Sequence, residues 1–93
     1  MKERALGLGW LRLEKDGMVA EVLRFDNGSQ YGIDGGRISK LWIGEKEEFG
    51  ISAPGFKRTW RWKWLANYDR GWDMQPRGIK AKQFYNEIIK EYN

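Results

Sequence analysis

The segment that decides the fold spans residues 41–68 and reads LWIGEKEEFGISAPGFKRTWRWKWLANY. At its centre, Ala53-Pro54-Gly55-Phe56 places Pro and Gly at the two middle positions that a type II turn prefers. If this turn closes a hairpin with Ala53 opposite Phe56, then Phe49 faces Trp60 further along the two strands. We therefore expect a long antiparallel hairpin that projects around residues 45–63.

This register sorts the hairpin side chains into two unlike faces, because successive residues of a strand point to opposite sides of the sheet. One face is mainly apolar and holds Leu41, Ile43, Phe49, Ile51, Trp60, Trp62, Trp64, Ala66 and Tyr68. The other face is mainly polar and holds Lys40, Trp42, Lys46, Glu48, Thr59, Arg61, Lys63, Leu65 and Asn67. The register thus predicts three indoles on the core side of the sheet, opposite the basic side chains, with Trp64 in the core.

The rest of the chain predicts two more strands and one helix. Residues 6–14 and 18–25 are rich in β-compatible side chains and flank the turn candidate Lys15-Asp16-Gly17. The third strand of the chain, which is the first strand of the hairpin described above, is expected to start near Arg37. Near the C-terminus, Asp73 or Gln75 can lead into a helix whose first turn suits Pro76. Apolar side chains then recur at helical spacing along one stripe, namely Ala81, Phe84, Tyr85, Ile88 and Tyr92.

Together these elements predict an α+β fold, in which an antiparallel sheet of about four strands carries one C-terminal helix on its apolar face. The chain of 93 residues is expected to form a single domain over residues 1–93. Its six Trp, four Tyr and four Phe can supply an aromatic core.

Composition argues against most enzyme classes. The chain contains no His and no Cys, which removes the usual general base, the usual nucleophile–base pairs and most transition-metal sites. We expect no catalytic residues, no metal and no cofactor. The charged N-terminal residues do not resemble a signal peptide, and no apolar stretch approaches the ~20 residues of a membrane span. With no disulfide framework either, a cytoplasmic protein without membrane contact is expected.

Positive charge is concentrated in one part of the chain. The net charge is +4, yet residues 56–82 hold eight basic side chains against Asp69 and Asp73. A localised field of this kind favours an anionic partner, either nucleic acid or an acidic protein surface.

The leading site candidate is the basic and aromatic run at residues 57–64. Indoles can fill a protein pocket or stack on bases, while basic side chains hold carboxylates or phosphates. The alternative is that the indoles simply line a sheet face, which we expect for Trp64. The candidate partner-binding residues are Trp60 and Trp62 first, followed by Arg58, Arg61, Lys63 and Phe49.

Two further motifs are better explained by structure than by chemistry. Residues 34–37, Asp-Gly-Gly-Arg, lack the spacing and the trailing Lys-Ser/Thr of a phosphate-binding loop, so a tight turn is expected. Asp69 and Asp73 could bind a divalent cation or act as acid and base. The favoured interpretations are that Arg70 or Arg37 forms an ion pair with Asp69 or Asp34, and that Asp73 caps the helix.

Two motifs carry a family resemblance, YGIDGGRISKLWI at residues 31–43 and LANYDRGWD at residues 65–73. They resemble a family of small uncharacterised proteins from Gram-positive gut bacteria, their phages and mobile elements. The resemblance covers about half the chain and brings no established activity. It implies an accessory gene of the kind that acts against host defence. In that family the two motifs are joined by a shorter connection, which would make residues 45–63 an extension particular to this chain.

We therefore expect a non-enzymatic binding or inhibitor protein that contacts a host or phage protein, for example an effector of a CRISPR–Cas system. The alternative is a nucleic-acid-binding module that uses the basic and aromatic hairpin. A homodimer through the hairpin face is a further possibility within the binding hypothesis. An enzyme acting through Asp34, Asp69 and Asp73 is a distant third.

Overall fold

The computed structural model describes residues 1–49 and 59–93, without the side chain of Phe49. The expected turn at residues 53–56, the basic Arg58 and the Phe49 side chain therefore lie outside the described part. Within it, six strands and one α-helix follow in the order β1 (Lys2–Gly7), β2 (Trp10–Lys15), β3 (Met18–Arg24), β4 (Ile38–Phe49), β5 (Thr59–Asp69), β6 (Trp72–Met74) and α1 (Ile79–Tyr92), with a single 3-10 turn (Ile33–Gly35) between β3 and β4. The strands form one antiparallel sheet in sequence order.

The α+β class and the C-terminal helix are confirmed, but the strand count of about four is wrong. The strand predicted for residues 6–14 begins only at Trp10, as β2, and residues Lys2–Gly7 form a separate, unpredicted strand β1. The two strands are divided because Gly7, Leu8 and Gly9 all adopt positive φ angles, of 92°, 55° and 86°. The sixth strand follows a tight turn in which the Asp69 N–H donates to the Gly71 carbonyl. The predicted turn between β2 and β3 is present, with positive φ at Asp16 and Gly17.

The core lies between one face of the sheet and α1. Strand alternation directs Leu11, Leu13, Ala20, Val22, Leu41 and Ile43 toward the helix, and all are buried. The helix contributes the predicted stripe, of which Ala81, Phe84, Ile88 and Tyr92 are buried and Tyr85 is partly buried. The opposite face of the sheet carries no helix among the described residues. No helix in the described part is both long and apolar enough to cross a membrane.

The start of the helix differs from the sequence expectation. Helix α1 begins at Ile79 after Gly78, which has a φ of 83° and offers no side-chain cap. Asp73 instead lies in β6, so its predicted role as the helix cap is wrong. Pro76 precedes the helix by three residues and sits in an irregular connection.

The β4–β5 register is correct in its inner half and wrong in its outer half. Leu41 pairs with Tyr68 and Ile43 with Ala66, as predicted, but Gly44 pairs with Trp64. Leu65 is therefore an extra residue, the signature of a β-bulge. Beyond it every pair is shifted by one, so that Glu48 faces Trp60 rather than Arg61, and Thr59 takes the place opposite Phe49.

The bulge inverts the faces of the outer strand. Leu65 and Ala66 are both buried in the core, whereas Trp64 on the preceding position points away from it. Because a one-residue slip moves every later side chain to the other face, Trp60 and Trp62 also lie on the side opposite the helix. The expectation that these indoles share the core-facing side with Leu41 and Ile43 is wrong.

The outer ends of β4 and β5 extend beyond the other strands. The β3–β4 pairing ends at Met18 and Glu45, so, among the described residues, 46–49 and 59–62 pair only with each other. We call this two-stranded segment the ribbon. The molecule is correspondingly elongated, with principal extents of 54 × 25 × 19 Å.

The end of α1 is tied to the loop before β4 through one side chain. The Asn93 amide oxygen accepts from the Ile38 N–H at 3.0 Å, and its nitrogen donates to the Ile33 carbonyl at 2.9 Å. Gly36 leaves the room for this amide, because a Cβ there would overlap it.

Replacing Asn93 with Ala removes both hydrogen bonds and leaves two part-buried backbone groups without their partner. We expect the free energy of unfolding to fall by about 1–3 kcal/mol in chemical denaturation. The matched control is Asn86→Ala on the exposed side of the same helix. Equal stability of the two variants would contradict this role for Asn93.

Tyr92 links the helix to the edge strand β1. Its hydroxyl donates to Glu3 Oε2 at 2.7 Å, and Arg24 lies 5.4 Å from the centre of its ring. Burial, together with the hydrogen bond and the charge of Glu3, raises the pKa of Tyr92 to about 12.

This raised pKa predicts a loss of stability at high pH. The folded state holds the Tyr92 proton more tightly than the unfolded state, so the contribution is present below pH ~10 and is lost as pH rises through about 12. Between these two pH values, the free energy of unfolding should fall less steeply with rising pH in Tyr92→Phe than in the parent protein. The control Tyr31→Phe, at an exposed tyrosine, should decline like the parent. An unchanged slope in Tyr92→Phe would refute the linkage.

Candidate partner-binding face

Four tryptophans gather on the side of the sheet that lacks the helix. Trp42 alternates with the buried Leu41 and Ile43, and the bulge brings three β5 indoles to the same side. We call Trp42, Trp60, Trp62 and Trp64 the indole face.

The indole face is held by direct ring contacts. Trp42 meets Trp64 edge to face, with ring centres 5.2 Å apart and planes at 83°. It meets Trp62 in the same manner at 5.9 Å and 69°. Perpendicular arrangements of this kind are favoured because the positive edge of one ring meets the negative face of the other. Trp42 is therefore the centre of the cluster.

A glycine beneath the cluster lets the rings approach the backbone. Gly44 lies opposite Trp64, and a Cβ added there would be 3.3 Å from Cε3 of Trp62 and 3.5 Å from Cζ3 of Trp42. The two indoles thus cover the strand at the one position where β4 has no side chain.

The rings remain accessible although they are ordered by these contacts. Trp60 is 58% exposed and Trp64 is 49% exposed, while Trp42 and Trp62 are half-buried. The prediction that Trp64 belongs to the core is wrong, because the bulge turns it outward. A connected group of exposed indoles on a small domain is typical of an interaction surface.

The basic side chains of β5 lie on the other side of the strand. Arg61 Nε donates to Glu47 Oε2 at 3.1 Å, and Lys63 stands opposite Glu45. That side therefore mixes charges of both signs. Within β5 the predicted separation of indoles from basic groups is confirmed, although each set occupies the face expected for the other, and Lys46 of β4 lies on the indole side opposite Trp62.

The predicted site residues are thus brought together only in part. Trp60 and Trp62 share a face, Arg61 and Lys63 share the opposite one, and Arg58 is outside the described residues. Sequence reasoning missed Trp42 and Trp64 as members of the site. Trp42 could have been found from its place between two core residues, which directs it away from the helix.

The three aspartates considered for chemistry do not form one site. Asp69 Oδ1 lies 3.7 Å from Lys40 Nζ, so its predicted ion pair is made with Lys40 rather than with an Arg. Asp34 is on the helix side, where burial and then the Asp34 charge raise the pKa of Tyr85. In the described part of the chain, no three acidic side chains are close enough to hold a metal ion.

A comparison with protein-family models matches residues 9–93 to a domain of unknown function, DUF7678. The match covers most of the sequence, and the chain belongs to this family. This agrees with the resemblance to an uncharacterised family. No curated protein and no solved structure gives a significant match.

The contact of the indoles with Gly44 predicts the effect of a side chain there. In Gly44→Val the added methyl groups would displace Trp62 and Trp42, which should weaken the near-ultraviolet circular dichroism of the indoles and cost about 1–3 kcal/mol of stability. The control is Gly71→Val, because a Cβ at Gly71 meets no atom within 4 Å. An unchanged near-ultraviolet spectrum in Gly44→Val would show that the rings do not rest on this glycine.

Proposed function

We propose that this member of the family is a non-catalytic binding protein whose protein partner docks on the indole face. The observation that carries the proposal is the ring cluster of Trp42, Trp62 and Trp64, with the exposed Trp60 on the same sheet face, which no described helix covers. Trp is among the residues that most often dominate the energy of protein interfaces.

The arrangement favours tight binding because the indole side chains are already partly ordered in the free protein, so they lose less conformational entropy when a partner binds. Trp42 is in ring contact with two neighbours, and Trp62 rests on Gly44, so these indoles have few alternative positions. Binding by preordered side chains loses less conformational entropy than binding by mobile ones. Trp60 and Trp64 add exposed apolar surface that a partner would remove from water.

The nucleic-acid alternative is less well supported by the geometry. A single-strand platform needs stacking rings and phosphate-binding cations along one groove. Here Arg61 and Lys63 lie on the opposite side of β5 from the indoles and are placed beside Glu47 and Glu45.

For the biological setting, we propose the one implied by the motifs at residues 31–43 and 65–73. The protein would be encoded by a phage or mobile element and would act in the cytoplasm against a host defence protein, such as a CRISPR–Cas effector. Inhibition by contact needs no catalytic group, which suits a chain without His or Cys.

The proposal predicts which face of the ribbon a partner requires. Immobilised protein should capture a specific host protein, and Trp60→Ser/Trp62→Ser should weaken that capture by about thirtyfold or more, the loss typical of interface hot spots. The matched control, Arg61→Ser/Lys63→Ser, changes two neighbouring residues on the opposite face and should retain most of the capture. Circular dichroism must show that both variants fold.

Three outcomes would count against the proposal. Equal capture by the indole variant would exclude this face. Loss of capture after nuclease treatment, together with loss in the Arg61/Lys63 variant, would favour nucleic-acid binding. A doubled mass in solution that reverts to a monomer in Trp60→Ser/Trp62→Ser would identify a second copy of this chain as the occupant.

A further inference from the structure

A small cleft opens at the inner end of the indole face. It has a volume of about 260 Å³ and is lined by Trp42, Trp64, Asn67, Asp73 and Met74. Pockets for drug-sized ligands typically measure ~300–1,000 Å³, so this cleft is on the scale of a single side chain.

A second bulge brings the acidic group into the cleft. Tyr68 pairs with Trp72 and Asn67 pairs with Met74, which leaves Asp73 as the extra residue of β6. Bulges commonly redirect a side chain at a functional site. The bulge at Leu65 directs Trp64 to this side of the sheet, and the bulge at Asp73 places the carboxylate beside it.

The lining combines the groups that recognise an organic cation. Trp42 and Trp64 stand nearly perpendicular, at 83°, and so form two walls of a corner. Indole faces attract cations electrostatically, and Trp does so best among the aromatic residues. Asp73 carries the only formal charge among the five lining residues. Within the described residues, no hydrogen bond or ion pair engages its carboxylate.

We infer that the cleft receives an arginine side chain of the partner protein, an inference that rests on the proposed function. The flat guanidinium can stack on one indole while its forked N–H groups reach the Asp73 carboxylate and the Asn67 amide oxygen. An apolar side chain would desolvate Asp73 without replacing its hydrogen bonds. A phosphate would be repelled by the same carboxylate. Lysine has the charge but lacks the flat, forked donor set.

The inference can be tested on the isolated protein. N-acetyl-arginine amide is titrated while the indole N–H signals of Trp42 and Trp64 are followed by NMR, with the neutral isostere N-acetyl-citrulline amide as the matched probe. We expect saturable shifts of these two signals with the arginine probe and a dissociation constant of about 1–10 mM, as suits one partly exposed cation site. The citrulline probe should give no saturable shift.

Two variants separate recognition of the cation from a general charge effect. Asp73→Asn should weaken arginine binding about fivefold, since one partly exposed ion pair is lost. Asp69→Asn removes the same charge from the neighbouring strand and should change the affinity by less than about twofold. Trp64→Leu should remove the saturable shift of Trp42 while the protein stays folded.

The inference is overturned if the two probes shift the signals equally or if neither gives saturation. It is also overturned if Asp73→Asn binds arginine as well as the parent does. Any of these results leaves the capture experiment untouched, because that experiment depends on Trp60 and Trp62 in the ribbon. Equal capture by the parent and by Trp60→Ser/Trp62→Ser, with intact arginine binding, would instead refute the proposed function alone.

Discussion

The bulge at Leu65 is the constraint on which both faces of this sheet depend. The extra residue turns its side chain into the core beside Ala66, and its carbonyl accepts the Arg77 N–H at 2.9 Å. Leu65 lies outside the regular β4–β5 pairing, but its burial and this hydrogen bond offset the loss of regular backbone hydrogen bonding at the bulge. Because strand alternation then resumes out of phase, the β5 indoles leave the core side.

The division of the sheet into a structural face and an exposed aromatic face follows from this single shift. The helix side is filled mainly by aliphatic residues, together with Phe84, Tyr68 and Tyr92, and without the indoles of β5. On the other side, Gly44 provides the flat surface on which Trp42 and Trp62 rest. The four indoles stay partly exposed at a cost in solvation that folding alone does not require, which is the basis of the proposal that a partner covers them.

Periodicity was enough to predict the parts of the fold in which polar and apolar residues alternate clearly. The stripe on α1, the hairpin of β2 and β3, and the pairing of Leu41 with Tyr68 belong to this class. The bulge could not be predicted, because Trp64, Ala66 and Tyr68 are apolar at alternate positions of the sequence, a pattern that favours a regular strand with all three on one face. Because all three side chains are apolar, the sequence does not indicate which face of β5 is exposed to solvent. Strand β6 is only three residues long and falls below what a pattern can identify.

The candidate site, like the fold, could be predicted only where it follows regular strand alternation. The run at residues 57–64 identified the correct strand and the separation of indoles from basic groups. The clustering around Trp42 and the position of Asp73 required knowledge of both bulges. A surface created by irregular pairing is therefore the feature that sequence periodicity is least able to find.

Both faces of the sheet depend on Trp64 pointing away from the helix, and nuclear Overhauser contacts measure this directly. We expect contacts of the Trp64 ring with the Trp42 ring, contacts of the Trp62 ring with the Gly44 α-protons, and none between Trp64 and the buried helix residues Phe84 and Ile88. Contacts of Trp64 with Phe84 or Ile88, together with pairing of Gly44 opposite Leu65, would instead show an unbulged register with the β5 indoles on the helix side.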